Sequence, residues 1–122
     1  MVLAGLLMVA ALQTTPPVAT ASQAFGVDYL DADFTSAGVT LFGVKVDSGA
    51  WVDVAPAKVT NPLTPAGSST YRIAIPPLTP GAHSAVFRAC NPNLCSDPSA
   101  PFAFVLAVKP ATPPPGRIIG GL

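Results

Sequence analysis

Short runs in which apolar residues alternate with other residues limit most strongly what this chain can fold into. A period of two places the apolar side chains of a β-strand on one face, and turn residues such as Asp47-Ser48-Gly49 separate the runs. Beyond residue 24, no stretch keeps the 3.6-residue period of a helix over three turns. Strands with one apolar face each bury those faces most simply as two packed sheets, so we expect an all-β sandwich. The six predicted strands lie within residues 25–29, 42–46, 51–54, 71–75, 85–90 and 102–108.

The composition fixes the size of the fold and excludes several functions. The chain has 122 residues, enough for one domain, and its 15 prolines and 10 glycines suit many short strands and turns. Six basic and six acidic residues cancel, which argues against nucleic acid as a partner. One His, no Glu and two Cys leave almost no groups for acid–base or metal chemistry. We therefore expect a protein that is not an enzyme and that holds no metal and no cofactor.

The N-terminal segment has the character of an export signal. Residues 1–27 carry no charged side chain, and Val2–Leu12 is an unbroken apolar run of 11 residues. Such a run is too short for a stable membrane span but has the length of a signal-peptide core. Small-x-small sites follow, so we predict a signal peptide-like segment over residues 1–21, with cleavage after Ala21 or Ala24. The protein is then expected to be secreted, either extracellular or periplasmic.

Two alternatives for this segment stay open. The apolar run is also typical of a buried strand. In addition, no clear first strand precedes residue 24, and residues 14–20 could supply a weak one at a sheet edge.

The C-terminal residues form a linker or tail. Residues 109–122 begin with a proline-rich stretch that has polyproline character and cannot enter a sheet interior. The predicted domain therefore covers residues 22–108. A tail of this kind suits either a monomer or one module of a larger chain. Arg117–Gly121 resembles the activation site of trypsin-like zymogens, but a motif of five residues without a protease domain is weak.

The two cysteines are expected to form an intrachain disulfide. Cys90 and Cys95 are separated by four residues, and no second pair or nearby His completes a zinc site. The strand period places Cys90 on the outward face, so the disulfide is expected at the surface. A redox-active pair is the alternative, although the spacing is not Cys-x-x-Cys.

Three aspartates raise a second possible site. Asp28, Asp31 and Asp33 lie within six residues near a strand end, and calcium favours several carboxylates on one loop. The calcium-loop motif also needs a Gly and a terminal Glu, and this chain has no Glu. A solvated turn is therefore favoured, and a calcium-dependent adhesion module stays an alternative.

Trp51 is the one residue that the sequence marks as a recognition anchor. It shares its strand phase with Asp53, opposite to Val52 and Val54, so its ring is expected to be partly exposed. Exposed aromatic rings beside charged groups bind sugars or protein partners. A ring that covers the edge of the core is the commoner role of a Trp.

The segment 78–99 carries a family resemblance. A Leu-x-Pro-Gly turn starts at Leu78, a strand with aromatic and small residues follows, and an Ala-x-Asn sequence ends at Asn91. This order resembles the later half of a fibronectin type III domain, of the Cys-bearing kind found in bacterial secreted proteins. The resemblance extends over residues 24–108 and implies an immunoglobulin-like sandwich of six to seven strands. It also implies that His83 replaces the corner tyrosine and hydrogen-bonds to nearby backbone.

The strand order of that family groups outward side chains into a candidate binding face. It places the strands of Lys45 and Arg88 side by side, with Trp51 on the adjoining short strand and Asn93 in the following loop. We expect a non-catalytic exported binding or spacer module that recognises a protein or carbohydrate ligand on this face. An accessory domain of a larger exported enzyme is the alternative.

Overall fold

The computed structural model describes residues 15–121, so the apolar run Val2–Leu12 lies outside the described residues. The described chain contains eight strands and one helix. They are β1 (Val18–Ala19), β2 (Ala24–Leu30), α1 (Asp31–Ala37), β3 (Leu41–Val46), β4 (Val52–Val54), β5 (Lys58–Val59), β6 (Ser68–Ala74), β7 (Gly81–Cys90) and β8 (Phe102–Leu106).

The strands form two sheets, which confirms the all-β sandwich. The five-stranded sheet has the order β1-β8-β7-β3-β4, and the three-stranded sheet has the order β2-β6-β5. All pairings are antiparallel except that of β1 with β8. The described chain has more strands than the six or seven expected. The additional strands are β1 and β5, which have two residues each. A strand of two residues is too short to show an alternating pattern.

Aromatic rings from both sheets form the core. Phe42 of β3 packs against Tyr71 of β6, with ring centroids 4.6 Å apart. Phe25 of β2 meets Phe104 of β8 edge to face at 5.3 Å. Removing such large apolar side chains from water supplies most of the free energy that holds two sheets together. The smaller buried residues of the same cluster are Val39, Val44, Val46, Ile73, Ala85 and Ala89.

The sequence pattern did not predict the helix α1. It has seven residues, about two turns, so a helical apolar period has no room to appear. Gly38 ends the helix in the left-handed conformation (φ 64°), where its N–H donates to the carbonyl of Thr35. The ring of Phe34 stacks on Tyr71 at 5.3 Å. Packing against the core therefore stabilises this short helix more than its own propensity does.

Residues 17–19 hold one edge of the five-stranded sheet. The N–H of Val105 donates to the carbonyl of Pro17 (2.9 Å), and that of Ala107 donates to Ala19 (2.8 Å). Ala19 also packs against the core. This edge strand lies within the segment predicted as signal-like, and cleavage after Ala21 or Ala24 stays a prediction. At the other end, residues 107–121 follow β8 without regular structure.

We predict that β1 stabilises the domain. A chain that starts at Ser22 loses the two hydrogen bonds to Pro17 and Ala19 and part of the cover of the core. Compared with a chain that starts at Thr15, its free energy of unfolding should fall by roughly 2 kcal/mol. Urea unfolding followed by the fluorescence of Trp51 measures the difference. Equal midpoints for the two chains would show that the domain begins after β1.

Candidate functional site

Trp51, Asp53 and Arg88 form a cluster on the outer face of the five-stranded sheet, which we call the platform. The guanidinium carbon of Arg88 lies 4.3 Å from the ring centroid of Trp51, a cation–π contact. The same guanidinium donates to both carboxylate oxygens of Asp53, from Nε at 3.2 Å and from Nη2 at 2.8 Å. The Arg88 side chain is therefore held by two partners within the fold.

The register of three strands assembles the platform. Strand β3 lies between β4 and β7, and Gly43 of β3 is the residue opposite both Asp53 and Arg88. A Cβ at Gly43 would collide with Oδ1 of Asp53 and would lie 3.2 Å from Cγ of Arg88. The missing side chain at Gly43 thus leaves the space through which Arg88 reaches Asp53. The sequence predicted that Trp51 and Arg88 share a binding face. It did not predict the roles of Asp53 and Gly43, because those depend on strand register.

The other two residues of the predicted face lie apart from the platform. Lys45 is half-buried and sits opposite Val86, on the same sheet face. Asn93 is exposed in the loop after β7, and its backbone N–H donates to Oδ1 of Asn91. Among the described side chains, no hydrogen bond or ion pair joins Lys45 or Asn93 to the platform. The structure therefore brings Trp51 and Arg88 together and leaves the other two at its margin.

The disulfide between Cys90 and Cys95 is present, which confirms the predicted pairing. The expectation that Cys90 lies at the surface was wrong: the residue is buried, with only 3% of its surface accessible to solvent. The chain after α1 covers the end of β7: the N–H of Thr40 donates to the carbonyl of Cys90 (2.8 Å). Strand phase alone does not report such cover from a neighbouring loop.

Asn91 shapes the loop that the disulfide closes. Its Oδ1 accepts the backbone N–H groups of Asn93 (2.9 Å) and Leu94 (2.8 Å). Its Nδ2 donates to the carbonyl of Ala37 (2.9 Å), which ties the loop to the end of α1. The loop conformation therefore has support besides the covalent bond.

His83 joins three segments at the start of β7. Its Nδ1 lies 2.7 Å from Oδ2 of Asp47, and its Nε2 lies 2.6 Å from the carbonyl oxygen of Thr79. Its ring centroid is 5.7 Å from that of Phe104, and 9% of its side chain is exposed. The hydrogen bond to Asp47 is the main cause that raises the pKa of His83, and the Thr79 carbonyl acts in the same direction. The pKa of Asp47 is lowered, mainly by His83 and then by the Ser84 N–H.

Two of the three aspartates considered for calcium accept hydrogen bonds from hydroxyls of β6. Asp28 accepts the hydroxyl of Thr70, and Asp31 accepts that of Ser69 at 2.6 Å. Asp33 lies in the first turn of α1, where a negative charge suits the helix dipole. Within residues 15–121, no group of three His, Cys or acidic side chains is placed to hold a metal ion.

An apolar cleft opens between the two sheets beside β1, and no sequence motif indicated it. Its volume is about 300 Å³, and the exposed ring of Phe102 forms part of its wall. Its walls come from residues far apart in the chain, so only the packing of the sheets creates it. The lining residues include Pro17, Ala19, Phe25, Phe87, Phe102 and Phe104.

Comparisons with known proteins do not assign the chain to a family. No family model matches it, and neither the curated proteins nor the solved structures give a match. In the part of the chain that the structure describes, no helix has the length and apolar character to cross a membrane.

We predict that loss of the disulfide is tolerated. Cys90→Ala with Cys95→Ser opens a loop closed over a separation of 5 residues, which should cost about 2 kcal/mol of unfolding free energy. Alanine is chosen at the buried position because a hydroxyl there could lack a partner. Urea unfolding and far-ultraviolet circular dichroism measure the effect. A double variant that is unfolded at room temperature would contradict this expectation.

We also predict that Gly43→Ala disturbs the platform while the fold persists. The new Cβ displaces the carboxylate of Asp53 and crowds Arg88, so the guanidinium should leave the ring of Trp51. The fluorescence of Trp51, the single tryptophan, should then shift to longer wavelength as water reaches the ring. Gly26→Ala, on a strand of the other sheet, is the control and should leave the emission unchanged. An unshifted spectrum in Gly43→Ala would mean that the stacking does not depend on this space.

Proposed function

We propose that the protein is a non-catalytic, exported binding module of the fibronectin type III kind, and that the platform recognises a protein or carbohydrate ligand. One observation carries the proposal: Arg88 is stacked on Trp51 and paired with Asp53 in the free chain. A long cationic side chain normally loses considerable rotamer freedom when it binds a ligand. Here Arg88 is already ordered in the folded chain, so binding loses less side-chain entropy and more of the contact energy contributes to affinity.

The chemistry of the platform suits recognition. Trp and Arg are the residue types that most often carry the binding energy of protein interfaces. A Trp ring offers a large apolar surface together with an N–H donor, which fits the faces and hydroxyls of a sugar or an aromatic protein contact. Asp53 comes from β4 and Trp51 from the residue before it, whereas Arg88 comes from β7, which pairs with strands on both sides and supports the cluster.

Two features support export and family. A disulfide in a small domain is typical of oxidising compartments outside the cytosol. The hydrogen bond from Nε2 of His83 to the carbonyl of Thr79, four residues upstream, matches the corner that the resemblance implies. The proposal assigns no reaction to His83, because both of its ring nitrogens are already occupied by partners within the fold.

The proposal predicts that binding depends on Trp51 and not on the opposite sheet. Because Trp51 is the single tryptophan, its fluorescence detects a ligand at the platform, and panels of soluble oligosaccharides and of extracellular proteins are the probes. For a ligand found this way, Trp51→Ala should weaken binding by about tenfold or more in calorimetry.

Arg72→Ala is the matched control, because Arg72 is exposed on β6 of the three-stranded sheet. It should change the affinity by less than about twofold, the size expected for a charge outside the interface. Equal losses for both variants, or a loss only with Arg72→Ala, would place the binding face on the other sheet.

A further inference from the structure

The environment of His83 contains a feature that the binding proposal does not use. Both ring nitrogens face hydrogen-bond acceptors: a carboxylate oxygen of Asp47 on one side and the carbonyl oxygen of Thr79 on the other. A neutral imidazole has one N–H, so it can donate to only one of them. With Asp47 ionised, only the imidazolium, with two N–H groups, satisfies both contacts. The geometry therefore selects the protonated ring.

The partners of His83 lie just beyond the ladder between β3 and β7, whose last pair is Val46 with Ala85. Asp47 opens the turn after β3, and Thr79 lies in the segment that leads into β7. Asp47 also receives the backbone N–H of Ser84 on Oδ1 (3.0 Å) and donates its own N–H to the Ser84 carbonyl (2.7 Å). His83 and Ser84 together anchor this turn to the start of β7.

The conformation of the turn depends on these contacts of His83 and Ser84. Asp47 has φ 53°, a left-handed conformation that residues other than glycine rarely adopt. The chain then runs through Gly49 to Trp51 and into β4, which pairs with β3 over three residues at the sheet edge. A short edge strand is weakly held, so the anchored turn is one constraint on the position of Trp51, beside its contact with Arg88.

We propose that His83 is a pH-dependent latch that holds the turn between β3 and Trp51 while the ring is protonated. Loss of the proton leaves one acceptor without a donor and weakens the link between the turn and β7. Asp47 is the one charged group that the described residues place against the ring, and the other contacts are the Thr79 carbonyl and the ring of Phe104. Because the latch helps to position Trp51, it would also affect ligand binding at the platform, and that consequence rests on the proposed function. The latch itself does not.

The direction of the pH dependence follows from the two ionisable groups. The raised pKa of His83 means that its contribution to stability is complete below the ordinary pKa of about 6.5 and is lost as the pH rises through the raised value. The lowered pKa of Asp47 means that its contribution is present above its ordinary pKa of about 3.9 and is lost as the pH falls through the lowered value. Stability from the pair is therefore greatest between about pH 4 and about pH 6.5.

The test uses the ligand-free chain, so that it is independent of the binding proposal. Nuclear magnetic resonance of the single histidine gives its titration midpoint, which we expect above the ordinary value of about 6.5. The amide signals of Asp47, Gly49 and Trp51 should change with the same midpoint. The unfolding temperature should fall by a few degrees between about pH 6 and about pH 9.

Two variants separate the latch from a general effect of pH. His83→Gln cannot take up a proton and should remove the transition at Trp51, while Asp47→Asn should lower the midpoint of His83. If His83→Gln does not fold, the titration of the unaltered chain and of Asp47→Asn still decides the question. A His83 midpoint at or below about 6.5, or a Trp51 signal that does not follow His83, would overturn the proposal.

Discussion

Aromatic packing between the two sheets is the interaction on which the rest of the structure depends. The contacts of Phe42 with Tyr71 and of Phe25 with Phe104 each join one sheet to the other. A domain of this size buries a limited core, and each aromatic ring removes about 150–250 Å² of surface from water. Loss of one such ring would affect both sheets at once, because residues from either side share the same cluster.

The inward packing also places the outward side chains. Since neighbouring residues of a strand point to opposite faces, burial of Phe42 and Val44 fixes Gly43 on the outer face. The register then sets Gly43 between Asp53 and Arg88. The platform is in this sense a consequence of the core. A shift of the strand register by one residue would move its side chains to the other face of the sheet.

Strand β7 carries the disulfide cysteine Cys90, the contacts of His83 and the platform residue Arg88. With ten residues it is the longest strand described, and it pairs with β3 on one side and β8 on the other. His83 lies near its start and Cys90 at its end, so each end is tied to a neighbouring segment. A strand held along its length and at both ends is a rigid support for Arg88, which lies between those two points.

The sequence by itself determined the all-β class, the main strands and the Cys90–Cys95 pairing, because these follow from local signals: a period of two, turn residues and a short cysteine spacing. The two-residue strands β1 and β5 and the short helix α1 gave no such signal, since they owe their structure to neighbours in space. Only the tertiary structure decided that Cys90 is covered and which polar side chains meet. Arg88 and Asp53 are 35 residues apart, and His83 and Asp47 are 36 apart. Contacts over such separations depend on strand register and on the path of the loops, which the packing of the whole core fixes and a local pattern does not contain.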